Sequence, residues 1–248
     1  MKFSSNALMA LLATALAASV QGFTSIRHYN SQTSTTTTSP SSSTTALPAR
    51  SGSLPCRPIG IGSAAPSTVI SNKDLESVVE TSDEWIQQRT GIANRHVLVQ
   101  QETLRDLQIQ AAEKALAMAG VSAEEIDLVI CATSSPDDMF GDAPSVATSL
   151  GCTLDTVAFD LTAACSGFLF ATVTASKFLA APTGQTTKAL VIGADALSRW
   201  VDWDDRNTCI LFGDGAGAMV LEATDEDPGI LGFSAHSNGG GYQDLQCG

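Results

Sequence analysis

The chain has 248 residues, 44% of them hydrophobic, which is enough for one domain with a sizeable core. Its first 73 residues contain no Asp or Glu, so all 26 acidic residues lie beyond them, against eight Lys and Arg, for a net charge of −18 there. So acidic a body excludes non-specific nucleic-acid binding, which needs phosphate-neutralising cations, and its apolar content excludes a disordered chain.

Two unlike segments precede that body. Residues 1–22 combine Lys2, an apolar run from Ala7 to Val20 and a small-residue end, the layout of a signal peptide with Val20 and Gly22 at the −3 and −1 positions of its cleavage site. The run is too short to span a bilayer comfortably. Residues 23–50 are rich in Ser and Thr, carry Arg27 and Arg50, and hold no acid. Such a segment cannot bury enough apolar surface to fold, and it fits a transit peptide; a Ser/Thr-rich stalk on a secreted protein is the competing reading. A signal peptide followed by a transit-like segment from Phe23 resembles the bipartite plastid presequences of algae with complex plastids. Delivery to the plastid stroma is therefore expected ahead of secretion.

The body, 51–248, reads as alternating strands and helices. IGIGSAAP (59–66) is a strand running into a turn. Ser71 with Asp74 resembles a capping box opening a helix through Val79, and Thr81 with Glu84 repeats the signal for a helix stopping near Gly91. Leu104, Leu107, Ala111, Ala115 and Ala119 recur at helical spacing, with Gly120 as the stop. Ser122 and Glu125 form a further cap-like pair before the apolar run 128–133. Runs at 156–161, 189–194 and 217–223 are short and nearly all apolar, as strands buried on both faces should be. Strands separated by helices make an α/β fold with βαβ units around a mostly parallel mixed sheet. Residues 166–181 are apolar almost all the way round, so that helix is expected to sit between two layers of structure.

The six cysteines, at 56, 131, 152, 165, 209 and 247, form neither a CxxC pair nor a metal-ligand spacing. Free thiols and no metal site are expected, with Cys131 and Cys209 acting as small buried hydrophobes. Cys165 is different. It follows the strand at 156–161 and precedes the apolar helix, among small neighbours that permit a tight turn. A sulfur at a helix N-terminus meets a field and unpaired N–H groups that favour a thiolate, hence an acyl acceptor. A packed structural cysteine at a strand end is the other reading, and local pattern leaves both open. GDGAGA (213–218) is GxGxG rather than GxGxxG and precedes a strand, so it reads as a tight glycine turn and not a nucleotide loop.

Three segments carry a family resemblance. TSDEWIQQRTGI (81–92) followed by Arg95 and His96, AFDLTAACSGF (158–168) and DDRNTCILFGDGAGAMVL (204–221) resemble, in order and spacing, those of the β-ketoacyl-[acyl-carrier-protein] synthase III family, condensing enzymes of the thiolase superfamily. The resemblance covers roughly 54–240. It implies the thiolase-like fold, of which this chain has the N-terminal βαβαβαββ half and lacks the second. It makes Cys165 the residue acylated by acetyl-CoA, a substrate rather than a permanently bound cofactor. Trp85 would stack on the CoA adenine with Arg89 and Thr90 nearby, and Arg206 would contact the nucleotide. Without the flanking signature, Trp85 would read as an ordinary core aromatic.

The resemblance further implies malonyl-acyl carrier protein as second substrate, a homodimer when full length, and a start to type II fatty acid synthesis, with no nucleic acid and no membrane among the partners. Phe140 is placed near the acyl pocket across a dimer interface. His96 and His236 match non-catalytic positions, and His28 falls in the presequence. The family's catalytic His and Asn come from the second half and have no counterpart here, so the chain alone is expected not to complete condensation and to aggregate through the apolar helix. A non-catalytic product that binds CoA or a full-length subunit is one alternative; a related acyltransferase of the superfamily is another.

Overall fold

A computed structural model describes residues 55–180, 185–224 and 229–244. The two presequence segments and Cys247 lie outside the described residues.

The apolar runs become a sheet of five strands: β1 (Cys56–Ala64), β4 (Leu128–Ala132), β5 (Val157–Leu161), β6 (Lys188–Ala196) and β7 (Asp214–Ala223). Their order is β1-β7-β6-β4-β5. β4 pairs in parallel with β5 and β6, while β7 pairs antiparallel with β6 and β1. Four strands therefore run one way and only β7 is reversed, so the expected α/β architecture around a mostly parallel mixed sheet stands. Thr68–Ser71 (β2) and Asn94–Val97 (β3) form a separate antiparallel ribbon.

Strand alternation divides the core into two layers. Val129 and Cys131 of β4 face α3 (Leu104–Ala119) and α4 (Ala143–Leu150), and Leu128, Ile130 and Ala132 face α5 (Gly167–Leu179). β4 is buried along its whole length, but β5 is an edge strand and its Val157 is half-exposed, contrary to the expectation for every apolar run. α5 differs similarly. Gly167, Ala171, Ala175 and Leu179 pack on the sheet, whereas Leu169 is 67% exposed, so the described residues cover only one of its faces. Among the described residues no helix is long and apolar enough to cross a membrane.

The caps are informative in detail. Ser71 and Asp74 do form a capping box, but the helix they open, α1 (Asn72–Leu75), is a single turn; the amides of Val78 and Val79 both donate to the Leu75 carbonyl and end it. α2 (Asp83–Thr90) is capped by Ser82, not Thr81: the Ser82 hydroxyl accepts from the Trp85 amide at 3.2 Å. Gly91 closes α2 and Gly120 closes α3, both in the left-handed conformation that glycine tolerates best.

Candidate active site

The parallel strands β4, β5 and β6 end on one side of the sheet, where α/β proteins commonly place ligands. There the chain leaves β5, makes one 3₁₀ turn over Ala164–Ser166 and enters α5. Ala164 is held at φ 46, a left-handed conformation that costs a non-glycine residue about 1–2 kcal/mol. The turn presents Cys165 to an open cleft of about 490 Å³, lined by Ile61 and Gly62 of β1, Gly193 to Asp195 of β6, Gly215 to Met219 of β7, and Phe168. Small residues let the helix start come so close. A Cβ on Gly167 would sit 3.2 Å from that of Ala132, and one on Gly193 would meet the Phe168 ring at 3.0 Å.

Cys165 is exposed, while Cys56, Cys131 and Cys209 are buried and Cys152 is half-buried. Burial pushes the thiols of all four up, that of Cys131 furthest, so they remain protonated at neutral pH and inert. Among the described residues Cys165 is the exposed cysteine, at a strand-to-helix turn, an arrangement that fits the acyl-acceptor reading of its local sequence better than that of a packed cysteine.

A second cluster gathers on α2. The Trp85 indole is half-buried, with the Arg89 guanidinium carbon 4.7 Å from its ring centroid and that of Arg206 at 4.2 Å. Arg89 lies one helical turn after Trp85, as i,i+4 spacing requires, and Arg206 arrives from the loop before β7. An aromatic plate flanked by two guanidinium groups suits a purine and its phosphates. Thr90 shares the helix, but its hydroxyl donates to the Ile86 carbonyl at 2.8 Å and accepts from the Ile92 amide at 3.0 Å, closing the helix end.

The profile of the 3-oxoacyl-[acyl-carrier-protein] synthase III family matches residues 159–239, the stretch holding Cys165 and Arg206. A β-ketoacyl-[acyl-carrier-protein] synthase III from Synechococcus sp. (strain WH7803) is 60% identical over 181 residues, covering 73% of this chain and 52% of that protein. The chloroplastic one from Arabidopsis thaliana is 53% identical over 193 residues, covering 77% and 47%. The crystal structure from Thermus thermophilus superposes with TM-score 0.71 at 38% identity over 76% of this chain and 58% of that one. For the Aquifex aeolicus structure the values are 0.65 and 45%, over 69% and 55%. The chain belongs to the β-ketoacyl-[acyl-carrier-protein] synthase III family.

It spans about half the length of the curated relatives it matches. Within that span the synthase III signature folds into two places: Trp85, Arg89 and Arg206 meet, and Cys165 opens separately into its cleft. The GDGAGA segment is not a turn. Its residues from Asp214 onward are the start of β7, whose Gly215 and Gly217 line the Cys165 cleft. Of these glycines only Gly213 is demanded by close packing, since a Cβ on it would stand 2.8 Å from the His96 carbonyl oxygen. His96 Nδ1 lies 2.6 Å from the Pro66 carbonyl and His236 Nε2 3.0 Å from the Ser234 hydroxyl, structural contacts in both cases.

Several polar residues that frame the site were not singled out by sequence. Asp195, beside the cleft, accepts from the Ser134 amide at 2.9 Å and the Ser135 hydroxyl at 3.0 Å, tying the end of β4 to the end of β6. Asp214 accepts from the Leu98 amide, the Ser198 amide and the Ser198 hydroxyl at 2.6–2.9 Å. Both are acids at the end of an apolar strand run, and that position was the available signal.

Phe140 is 91% exposed on a loop whose flanks are latched. Asp142, fully buried, accepts from Arg105 at 2.8 Å and from the Asp137 amide at 3.0 Å; Asp137 accepts from Arg199 at 2.8 Å and from the Arg105 amide at 2.8 Å. Burial alone would raise the pKa of Asp137, but hydrogen bonds from the Arg105 amide and the Arg199 side chain, with the Arg199 charge, hold it below the usual carboxylate range. A folded-state pKa below the unfolded value of about 3.9 contributes stability above that pH, lost as pH falls through the folded value. Acid titration of the thermal midpoint is expected to show loss beginning near pH 4, and Asp137→Asn should flatten that limb. An unchanged acid limb in the variant would remove Asp137 from the account.

Proposed function

We propose that the chain carries the acyl-accepting site of a β-ketoacyl-[acyl-carrier-protein] synthase III that begins type II fatty acid synthesis. Cys165 Sγ attacks the acetyl carbonyl of acetyl-CoA, the new C–S bond replaces the old one, and CoA leaves as its thiol. Loss of CO₂ from malonyl-acyl carrier protein then leaves a carbanion that attacks acetyl-Cys165, releasing the thiolate and acetoacetyl-carrier protein. The positive end of the α5 macrodipole lies beside Cys165 and suits the developing oxyanion. Trp85, Arg89 and Arg206 hold the adenine and phosphates of CoA, with Thr90 shaping the end of the helix that carries the first two. Acetyl-CoA enters as a substrate, and no resident cofactor or metal takes part in this reading. A homodimer and an acyl carrier protein are its partners, and the chloroplastic relative supports a plastid location.

The observation that carries the reading is the exposed Cys165 at the β5–α5 turn, facing its cleft. Incubating the chain with acetyl-CoA is expected to give an acetyl adduct on Cys165 by intact mass and peptide mapping. No adduct in a sample that melts cooperatively would overturn it. A second reading, CoA binding without turnover, is favoured by the clamp, whose residues lie apart from the Cys165 cleft. CoA binding without adduct would be its result.

A further inference from the structure

Arg95 on β3 is 4% exposed, yet none of its partners among the described residues is a carboxylate. Its guanidinium donates to neutral oxygens alone: the Ile70 carbonyl at 3.3 Å, the Asn72 side chain at 2.7 Å and the Ile210 carbonyl at 3.2 Å. Burying a charge without a counter-charge is costly, so stability alone does not favour this arrangement over an apolar residue of similar size.

What the arrangement joins is specific. Asn72, itself 1% exposed, donates to the Asp83 carboxylate at 2.8 Å, where α2 begins, and to the Ile92 carbonyl at 2.7 Å, just after α2 ends. The helix carrying Trp85 and Arg89 is thus gripped at both ends by one side chain. Arg95 Nη2 binds that side chain and also the carbonyl of Ile210, in the segment that brings Arg206 to Trp85. Ile86, Trp203, Cys209 and Ile210 pack between the same two segments, but apolar contact is non-directional, whereas a planar guanidinium fork fixes distance and angle together.

We infer that Arg95 is a positioning residue for nucleotide binding, acting through Asn72 and the Ile210 carbonyl to hold α2 and the Arg206 loop at the spacing of the Trp85 clamp. This rests on the reading of that clamp as the CoA nucleotide site. Arg95→Lys keeps the charge but loses the Ile70 contact of Nη1 and puts a shorter, freely rotating ammonium in place of the rigid plane that aims Nη2 at Asn72 and Ile210. Asn72→Ala leaves Arg95 intact and breaks the link to α2, so a loss shared by both variants cannot come from removed charge.

The test is calorimetric titration of the full chain with adenosine 3′,5′-bisphosphate, the nucleotide end of CoA. The rate of Cys165 alkylation by iodoacetamide serves as an independent readout of the distant cleft. Both variants are expected to bind at least about tenfold more weakly than wild type with the alkylation rate unchanged. Wild-type affinity in Arg95→Lys and Asn72→Ala would overturn the positioning role and leave the clamp reading standing. Equal loss of binding and of the normal alkylation rate would also overturn it, making Arg95 a residue of the general fold. No binding by wild type would overturn the clamp reading, and the positioning role with it.

Discussion

Serine in place of Cys165 is expected to abolish acetyl transfer from acetyl-CoA, slowing adduct formation on the order of 10³-fold or more. A thiol is ionised to a few per cent at neutral pH, whereas a serine hydroxyl needs a base to take its proton. The described lining of the cleft offers one titratable side chain besides the cysteine, Asp195, and its Oδ1 is already engaged by Ser134 and Ser135. The substitution removes reactivity without removing shape. Because Cys165 is exposed, stability should change by about 0.5 kcal/mol at most. Cys131→Ser should behave in the opposite way. It places a hydroxyl in a fully buried site between two sheet partners, costing about 1–3 kcal/mol, and should leave the adduct intact once folded. Adduct on the Cys165→Ser protein, mapped to another cysteine, would show that the nucleophile lies elsewhere.

Much of this site was legible because its chemistry is local. Cys165 sits between an apolar strand and an apolar helix, and both boundaries can be read from hydrophobicity and small residues. The Trp85–Arg89 contact has i,i+4 helical spacing, but the pair stood out only through the family resemblance. The failures share a different cause. Thr81 has an acid three residues on and Ser82 has only Trp85 there, yet Ser82 caps α2, because the cap is made to a backbone amide that every residue at that offset supplies. The Gly/Ala run of β7 hides a strand because its composition answers to its neighbours: β1 is pressed against α3, and β7 must match a partner that itself has little side chain. Arg95 was visible only as part of a signature. Its role depends on Asn72 and Ile210, 23 and 115 residues away, and no periodicity reports such distances. The apolar girdle of α5 implies cover on two sides, and the described residues supply it on one only.

The largest loss of stability is expected from Gly62→Ala. Gly62 pairs with Ala218 in the β1–β7 ladder and lies under α3. Its backbone is not in the left-handed region, so space and not conformation demands the glycine. An added Cβ would overlap the Ala111 carbonyl oxygen and stand 2.6 Å from the Ala115 amide nitrogen. Both are helix backbone, which cannot swing aside as a side chain can. The helix would have to lift, pulling Leu104, Leu107, Ala111, Ala112 and Ala115 from a layer in which each is buried. The cost should be about 3 kcal/mol or more, lowering the thermal midpoint by roughly 6–12 °C. Gly217→Ala on the facing strand is the control. Its Cβ would meet only the Gly62 carbonyl oxygen at 4.0 Å, an ordinary contact, so the midpoint should hold or rise slightly as the unfolded chain loses freedom. Equal melting of the two variants would mean that α3 can lift from β1 freely, and the close packing described for the wall beside Cys165 would have to be abandoned.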